Sequence, residues 1–185
     1  MQVQLQYLSF AEYVECEKNS QIRHEYVGGQ IFAMTGSSQE HNLLVGNIYA
    51  RLRPHLRGTS CRAFVSDMKV RIEAANTGYY PDIMVVCDPA DRDRYVKTSP
   101  TLIVEVLSPS TESTDRREKL LNYQKLPSLQ EYILVSQEEI KIEIYRKDTQ
   151  GNWTLETLGK DDQLRFESVG LTVTLAEIYE DVFTV

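Results

Sequence analysis

Apolar residues recur along this chain with two different periods, and the change from one period to the other marks out its elements. Leu44, Ile48, Leu52 and Leu56 repeat at four-residue steps, the spacing that puts side chains on one face of a helix. Ser37 with Glu40 reads as a capping box ahead of that stripe, so a helix is predicted from about Gln39 to Leu56, stopped near Gly58. Other stretches are unbroken. Tyr80-Pro81-Asp82-Ile83-Met84-Val85-Val86 and Leu102-Ile103-Val104-Glu105-Val106-Leu107 are short and bounded by turn residues or proline. Continuous apolar character over that length predicts strands buried on both faces.

The remaining elements follow from turn and cap chemistry. Ser9 with Glu12 forms a capping box for a first helix from Phe10 to about Lys18. Arg23–Val27 and Gln30–Met34 flank Gly28-Gly29, the pair best able to take positive φ at both centres of a two-residue turn, so a β-hairpin is expected there. From Arg62 to Ile72 the chain reads as one or two strands, and Asn76-Thr77-Gly78 turns it into the Asp82 strand. A polar segment from Asp88 to Ser99 then leads into the Glu105 strand, which makes the two carboxylate-bearing strands neighbours in one sheet. Beyond it, Asp115 to Lys125 reads as a third helix capped by Thr114. Tyr132–Val135, Ile140–Arg146, Trp153–Leu158 and Leu164–Phe166 follow as an antiparallel meander, and a short helix near Ala176–Tyr179 closes the chain. No repeat or linker interrupts the pattern, so residues 1–185 are expected to form a single domain.

Composition narrows the setting. Three cysteines, Cys16, Cys61 and Cys87, are odd in number and lack metal-ligand spacing, which predicts reduced, buried thiols in a cytoplasmic protein. No stretch approaches the roughly 18 apolar residues of a membrane span, so no membrane association is expected. The formal net charge of −7 argues against a nucleic-acid partner taken as an average, but it is unevenly spread. Six basic residues between Arg51 and Arg71 face one acid, Asp67, whereas the stretch from Asp148 onward has eight acids and two bases. A local phosphate-facing surface is compatible with that distribution.

Glu105 is the position that asks for chemistry. An ionised carboxylate within an apolar strand costs several kcal/mol unless a cation or several hydrogen bonds offset its desolvation. With Asp82 on the adjacent strand, about 4.8 Å away, the two carboxylates can converge on one hard cation. Mg²⁺, with Mn²⁺ as substitute, suits one or two carboxylates plus phosphate oxygens, an arrangement able to hydrolyse a phosphodiester.

The order helix, hairpin, helix, Pro-Asp strand, Glu strand and helix resembles the PD-(D/E)XK nuclease superfamily. More narrowly, the chain resembles the Uma-type putative restriction endonuclease family. The residues that carry the likeness are Arg23–Ile31, His41, Tyr80-Pro81-Asp82, the run Val104-Glu105-Val106-Leu107-Ser108-Pro109-Ser110-Thr111, and Asp115, Lys119 and Tyr123 at four-residue steps. The resemblance implies an α/β (α+β) fold of restriction-endonuclease type, with a central mixed sheet flanked by helices and the meander appended. It also implies a Mg²⁺-dependent endonuclease acting on nucleic acid, with DNA as the expected substrate; cutting both strands of a duplex would favour a homodimer. One position departs from the superfamily pattern. Leu107 stands where a lysine would follow the acid by two residues, and the resemblance implies that the lysine has moved to the next helix as Lys119. Asp82 and Glu105 would then hold the metal with the Val106 carbonyl, Lys119 would position water and offset phosphate charge, and Glu25 would be an accessory acid. His41, Asp115 and Tyr123 are further accessory candidates. The same residues also admit a nuclease-fold module that binds without turnover, and a phosphohydrolase for small esters.

Overall fold

The run around Glu105 becomes an eight-residue strand, β8 (Pro100–Leu107), buried at every position. It lies at the centre of the protein in a computed structural model that describes residues 7–183. The ends of the expected 1–185 domain, residues 1–6 and 184–185, lie outside the described residues. β8 pairs antiparallel with β6 (Ile83–Val86), as neighbouring carboxylate strands require, and parallel with β9 (Glu131–Ser136). With β3 (Arg62–Val65), β10 (Ile142–Lys147) and β11 (Trp153–Leu158), these strands form a six-stranded mixed sheet in the order β11-β10-β9-β8-β6-β3.

Alternation along β8 sends its side chains to two separate cores. Leu102, Val104 and Val106 pack with Leu44, Val45, Ile48 and Leu52 of helix α2 (Gln39–His55) and with Leu164, Phe166, Leu175 and Ile178 from the C-terminal part. Ile103 and Leu107 face the other way, against Val70, Ile72, Tyr79, Tyr123 and Tyr132. Glu105 lies between them in sequence and therefore shares their face. Leu107 is thus a packing residue, and the helix that could bring a replacement lysine lies over the same surface.

A second sheet covers that face. Its order is β2-β1-β5-β4-β7, built from β1 (His24–Val27), β2 (Gln30–Ala33), β4 (Lys69–Ile72), β5 (Thr77–Tyr79) and β7 (Val96–Lys97). β1 and β2 form the expected hairpin, with Gly28 at φ 57° and Gly29 at φ 98°. Helix α1 (Phe10–Glu17) has the expected Ser9/Glu12 capping box and packs Tyr13 against Tyr26 of β1.

Several expectations are corrected. The cap of α2 is Ser38, whose side chain accepts from the His41 N–H, so the Ser37/Glu40 box does not form. The 62–72 stretch forms two strands, one of the two expected outcomes, but β3 and β4 belong to different sheets. Asn76-Thr77-Gly78 leads into β5, and Asp82 stands just before β6. The polar 88–99 segment contains β7. The third helix, α3, spans 112–123, starts three residues earlier than expected and has no cap from Thr114; its middle, Asp115–Lys119, is wound as one π turn. Leu164–Phe166 is not part of the meander, since β12 (Gln163–Phe166) pairs with a further strand, β13 (Leu171–Thr174). The last helix, α4 (Leu175–Ile178), begins one residue early because Thr174 and Glu177 form its capping box. The thiol expectation also fails: Cys61 and Cys87 directly flank the paired residues Arg62 and Val86 and are joined by a disulfide, while Cys16 is free and exposed. Among the described residues, no helix is long and apolar enough to cross a membrane.

The hairpin that carries Glu25 depends on its glycines. A Cβ at Gly29 would come within 2.8 Å of the Tyr7 ring at a φ hostile to L residues, whereas nothing lies within 4 Å of a Cβ at Gly28. Gly29→Ala is therefore expected to lower stability by about 1–2 kcal/mol or more, with Gly28→Asn costing much less because Asn tolerates the left-handed region. Urea unfolding of the two variants checks this ranking.

Candidate active site

Asp82 and Glu105 are held together by main chain before any cation is considered. The Asp82 N–H donates to Glu105 Oε2 at 3.2 Å, and the Val106 N–H donates to Asp82 Oδ2 at 2.7 Å. Each carboxylate thus accepts from the strand that carries the other. This is the geometry expected from neighbouring strands, with one change: the contact Val106 makes with Asp82 is through its N–H, whereas its expected role rested on its carbonyl.

Lys119 reaches this pair from α3. Its side chain is buried, with the residue only 5% exposed, and its Nζ lies 3.2 Å from Glu105 Oε1, 3.0 Å from Glu25 Oε1 and 3.1 Å from Asp115 Oδ1. Only the Glu105 contact also has hydrogen-bond geometry; Glu25 Oε1 and Asp115 Oδ1 are buried within ion-pair distance but accept no hydrogen bond. The Tyr123 hydroxyl donates to the same Glu105 Oε1 at 2.9 Å. Glu105 therefore has three donors around it, which meets the electrostatic demand its strand position creates.

The winding of α3 explains how Asp115, Lys119 and Tyr123 all reach inward. Asp115 and Lys119 are the two ends of the π turn, and Lys119 still meets Asp115 four residues earlier. The Asp115 main chain is itself fixed, since its carbonyl accepts from the Tyr132 hydroxyl of β9. π turns within helices are commonly found at functional sites because they re-aim a side chain without ending the helix. His41, in the first turn of α2, points its Nε2 at Asp82 Oδ2 from 3.1 Å. All eight residues expected at the site are thus assembled around one centre.

Electrostatics follow from this crowding. Burial raises the Glu105 pKa above the usual carboxylate range; Lys119 opposes the shift, while Asp115, Asp82 and Glu25 add to it. Burial would lower the Lys119 pKa, but Glu105, Glu25 and Asp115 together outweigh it and hold the ammonium well above its ordinary value. Lys119 is accordingly a fixed cation and not a proton acceptor. Burial, followed by the Glu105 charge, keeps the Tyr123 hydroxyl protonated and able to donate.

The donor set is rich in carboxylates. Glu25, Glu105 and Asp115 surround one ammonium and Asp82 stands beside Glu105, so acidic side chains outnumber the lysine. Among the described residues, no three His, Cys, Asp or Glu side chains form a ready metal cage. Asp82 and Glu105 make two, and among the described residues no hydrogen bond reaches Asp82 Oδ1. Such a site fits Mg²⁺, which takes one or two carboxylates and keeps several waters, better than it fits a metal needing a full protein shell.

The carboxylates open into a cavity of about 510 Å³. Sequence reasoning missed most of its walls. Ser66, at φ 46°, belongs to it and donates its N–H to the Asp82 carbonyl at 3.0 Å. Phe32 of the hairpin, Arg23, Ser108, Ser110 and Thr111 line it as well. Phe32 could have been found by counting outward from Gly28-Gly29, a register that sets it opposite Glu25.

The basic run from Arg51 to Arg71 does not gather at this cavity. Arg51 faces Glu177 and Glu180, Arg62 binds the carbonyls of Thr59 and Cys61, and Arg71 stacks on the Phe10 ring. Lys69 is buried beside the Tyr80 ring, and burial pulls its pKa down.

Comparison with known proteins places these features in context. The protein-family profile described as "Putative restriction endonuclease" (Uma2) matches residues 10–176. An uncharacterized protein of Synechocystis sp. is 39% identical over 173 residues, covering 93% of this chain and 91% of its own length. A second uncharacterized protein of that organism is 33% identical over 163 residues, with 86% and 92% covered. Among solved structures, the fold is similar to that of a putative nuclease belonging to DUF820 from Anabaena variabilis, with a TM-score of 0.74 at 17% identity and coverage of 89% and 93%.

Removing the ammonium tests the charge balance directly. Lys119→Met is expected to destabilise the protein by about 3–5 kcal/mol at pH 8, because it leaves buried carboxylates unpaired. A carboxyl whose folded pKa lies above its unfolded value contributes stability at low pH and loses it as pH rises through the folded value. The deficit should therefore shrink as pH falls toward 5 and Glu105 takes up a proton. Urea unfolding at several pH values checks it; a small, pH-independent loss would mean that the side chain faces solvent.

Proposed function

The chain belongs to the putative restriction endonuclease family, and from that premise we propose that it is a Mg²⁺-dependent nuclease that hydrolyses phosphodiester bonds in nucleic acid, with DNA as the substrate. The observation that carries the reading is the meeting of Asp82, Glu105 and Lys119 in one open cavity. Lys119 beside Glu105 supports an enzyme over a module that only binds, because it supplies from α3 the cation that Leu107 cannot.

Asp82 and Glu105 would hold the metal. When bound, Mg²⁺ supplies Lewis acidity that stabilises charge on the phosphoryl oxygens and acidifies a neighbouring water. The remaining roles belong to the chain. Lys119, always protonated in this setting, donates to the attacking water or to a non-bridging phosphate oxygen and offsets the negative charge that develops there. Glu25 and Asp115 keep the ammonium in place, and Tyr123 fixes the carboxylate plane of Glu105. His41 acts on Asp82 by holding its Oδ2, which leaves the other oxygen without a hydrogen-bond donor among the described residues. Hydrolysis adds water across one P–O bond: the water oxygen joins phosphorus, the bond to the departing sugar oxygen breaks, and that oxygen leaves as a hydroxyl once protonated.

Cleavage of plasmid and of labelled oligonucleotides with Mg²⁺ or Mn²⁺ tests the proposal. Asp82→Ala and Glu105→Ala are expected to abolish cleavage, and Lys119→Met to slow it by about 10²–10³-fold, the usual cost of removing one preorganised charge-stabilising donor. Mn²⁺ should raise the melting temperature of the wild type and leave Asp82→Asn unmoved. Equal residual cleavage in wild type and both carboxylate variants would point to a contaminant and overturn the proposal.

A further inference from the structure

Phe32 is a large apolar ring left in the open beside the most charged place in the protein. It is 51% exposed and belongs to neither hydrophobic core. The hairpin register sets it directly opposite Glu25, and cross-strand partners project from the same face of a sheet. Glu25 points at Lys119, so Phe32 stands on the cavity side of the hairpin, whereas its neighbour Ile31 alternates to the other face. Ala33, Met34 and Val45 line the same cavity as the ring, as do Ser108, Ser110 and Thr111, whose hydroxyls are joined by hydrogen bonds through that of Ser108. A nucleotide has the same two-sided chemistry: an apolar base face and a sugar-phosphate edge that hydrogen-bonds.

The charge distribution strengthens the case. The lysines and arginines that line the cavity are Arg23, held by Asp67 at 2.8 Å, and Lys119, which faces Glu25, Glu105 and Asp115, so the cavity wall offers no unpaired Lys or Arg with which to track a phosphate backbone. At the cavity, affinity for nucleic acid then draws on other contacts, and stacking of bases on aromatic rings is a strong one that needs no cations.

Resting on the nuclease reading above, we propose that Phe32 stacks an unpaired nucleobase next to the scissile phosphate, so that the site takes single-stranded or locally unpaired nucleic acid. A base within a continuous duplex has no free face for the ring, whereas an unstacked base offers one regardless of its identity.

The test uses the full chain in Ca²⁺, which permits binding while slowing cleavage, with oligonucleotides carrying 2-aminopurine in a single strand, a bulged duplex or a matched duplex. Wild type is expected to bind the first two more tightly than the third and to change the probe's emission as the base stacks. Phe32→Ala should weaken single-strand binding by about 5- to 150-fold, corresponding to about 1–3 kcal/mol per stacked base, and abolish the emission change. Phe32→Trp should restore both. Exposure of the ring makes loss of folding in these variants unexpected, and an unchanged urea midpoint checks that. Unchanged affinity and emission in Phe32→Ala would overturn the inference while Mg²⁺-dependent cleavage by the wild type left the nuclease reading intact. A concentration-dependent change in molar mass in Phe32→Ala, with base stacking unaffected, would assign the ring to a contact between copies and overturn it too. Absence of both binding and cleavage in the wild type would remove the nuclease reading and the inference together.

Discussion

A carboxylate in the central strand of a sheet has to be met by a cation, and the contact between Lys119 and Glu105 answers that requirement. β8 is buried on both faces, so Glu105 is only 3% exposed, far less than a surface acid. Desolvating such a group costs several kcal/mol, and the cost is recovered only where charge and hydrogen bonds converge with good geometry. Lys119, Tyr123 and the Asp82 main chain provide that convergence. The ammonium faces the reverse problem, since burial disfavours it, and three carboxylates keep it charged.

Each neighbouring element can be understood by what it brings to this contact. β6 brings Asp82, whose N–H closes on Glu105. α3 brings both the lysine and the tyrosine, and its π turn sets Asp115 against the same ammonium. The β1–β2 hairpin adds Glu25 from the second sheet, and the first turn of α2 adds His41 against Asp82. Four separate segments therefore terminate at one cavity, and the substitution of Leu107 for a strand lysine is accommodated by packing Leu107 into the core beneath it. The surplus of acidic side chains over basic ones in that cluster is what the proposed divalent cation would balance.

Much of this was legible from residue order. The four-residue stripe of α2 and the glycine pair of the hairpin carry strong local signals, and the unbroken apolar runs of β6 and β8 required two covered faces. The anomaly of Glu105 in such a run was enough to demand a partner, and the family likeness pointed to Lys119. What was not legible depended on tertiary pairing. Nothing local tells that β3 and β4 part into different sheets, or that Gln163–Phe166 folds back on Leu171–Thr174 and leaves the meander. The Cys61–Cys87 bond follows from the register of β3 with β6, which spacing along the chain does not reveal. Similarly, the choice of Ser38 over Ser37 as the cap is a one-residue matter of how the chain enters α2. Phe32 is the instructive case, because the turn type and a count of pairs would have placed it beside Glu25.

Asp82, Glu105 and Lys119 are proposed to form one working centre around a divalent cation. Diffraction from crystals soaked in Mn²⁺, recorded with anomalous signal, addresses it most directly. The expected result is an anomalous peak between the Asp82 and Glu105 carboxylates, with the Lys119 ammonium still within hydrogen-bond distance of Glu105. A peak elsewhere, no peak at saturating Mn²⁺, or a Lys119 side chain turned to solvent would contradict it.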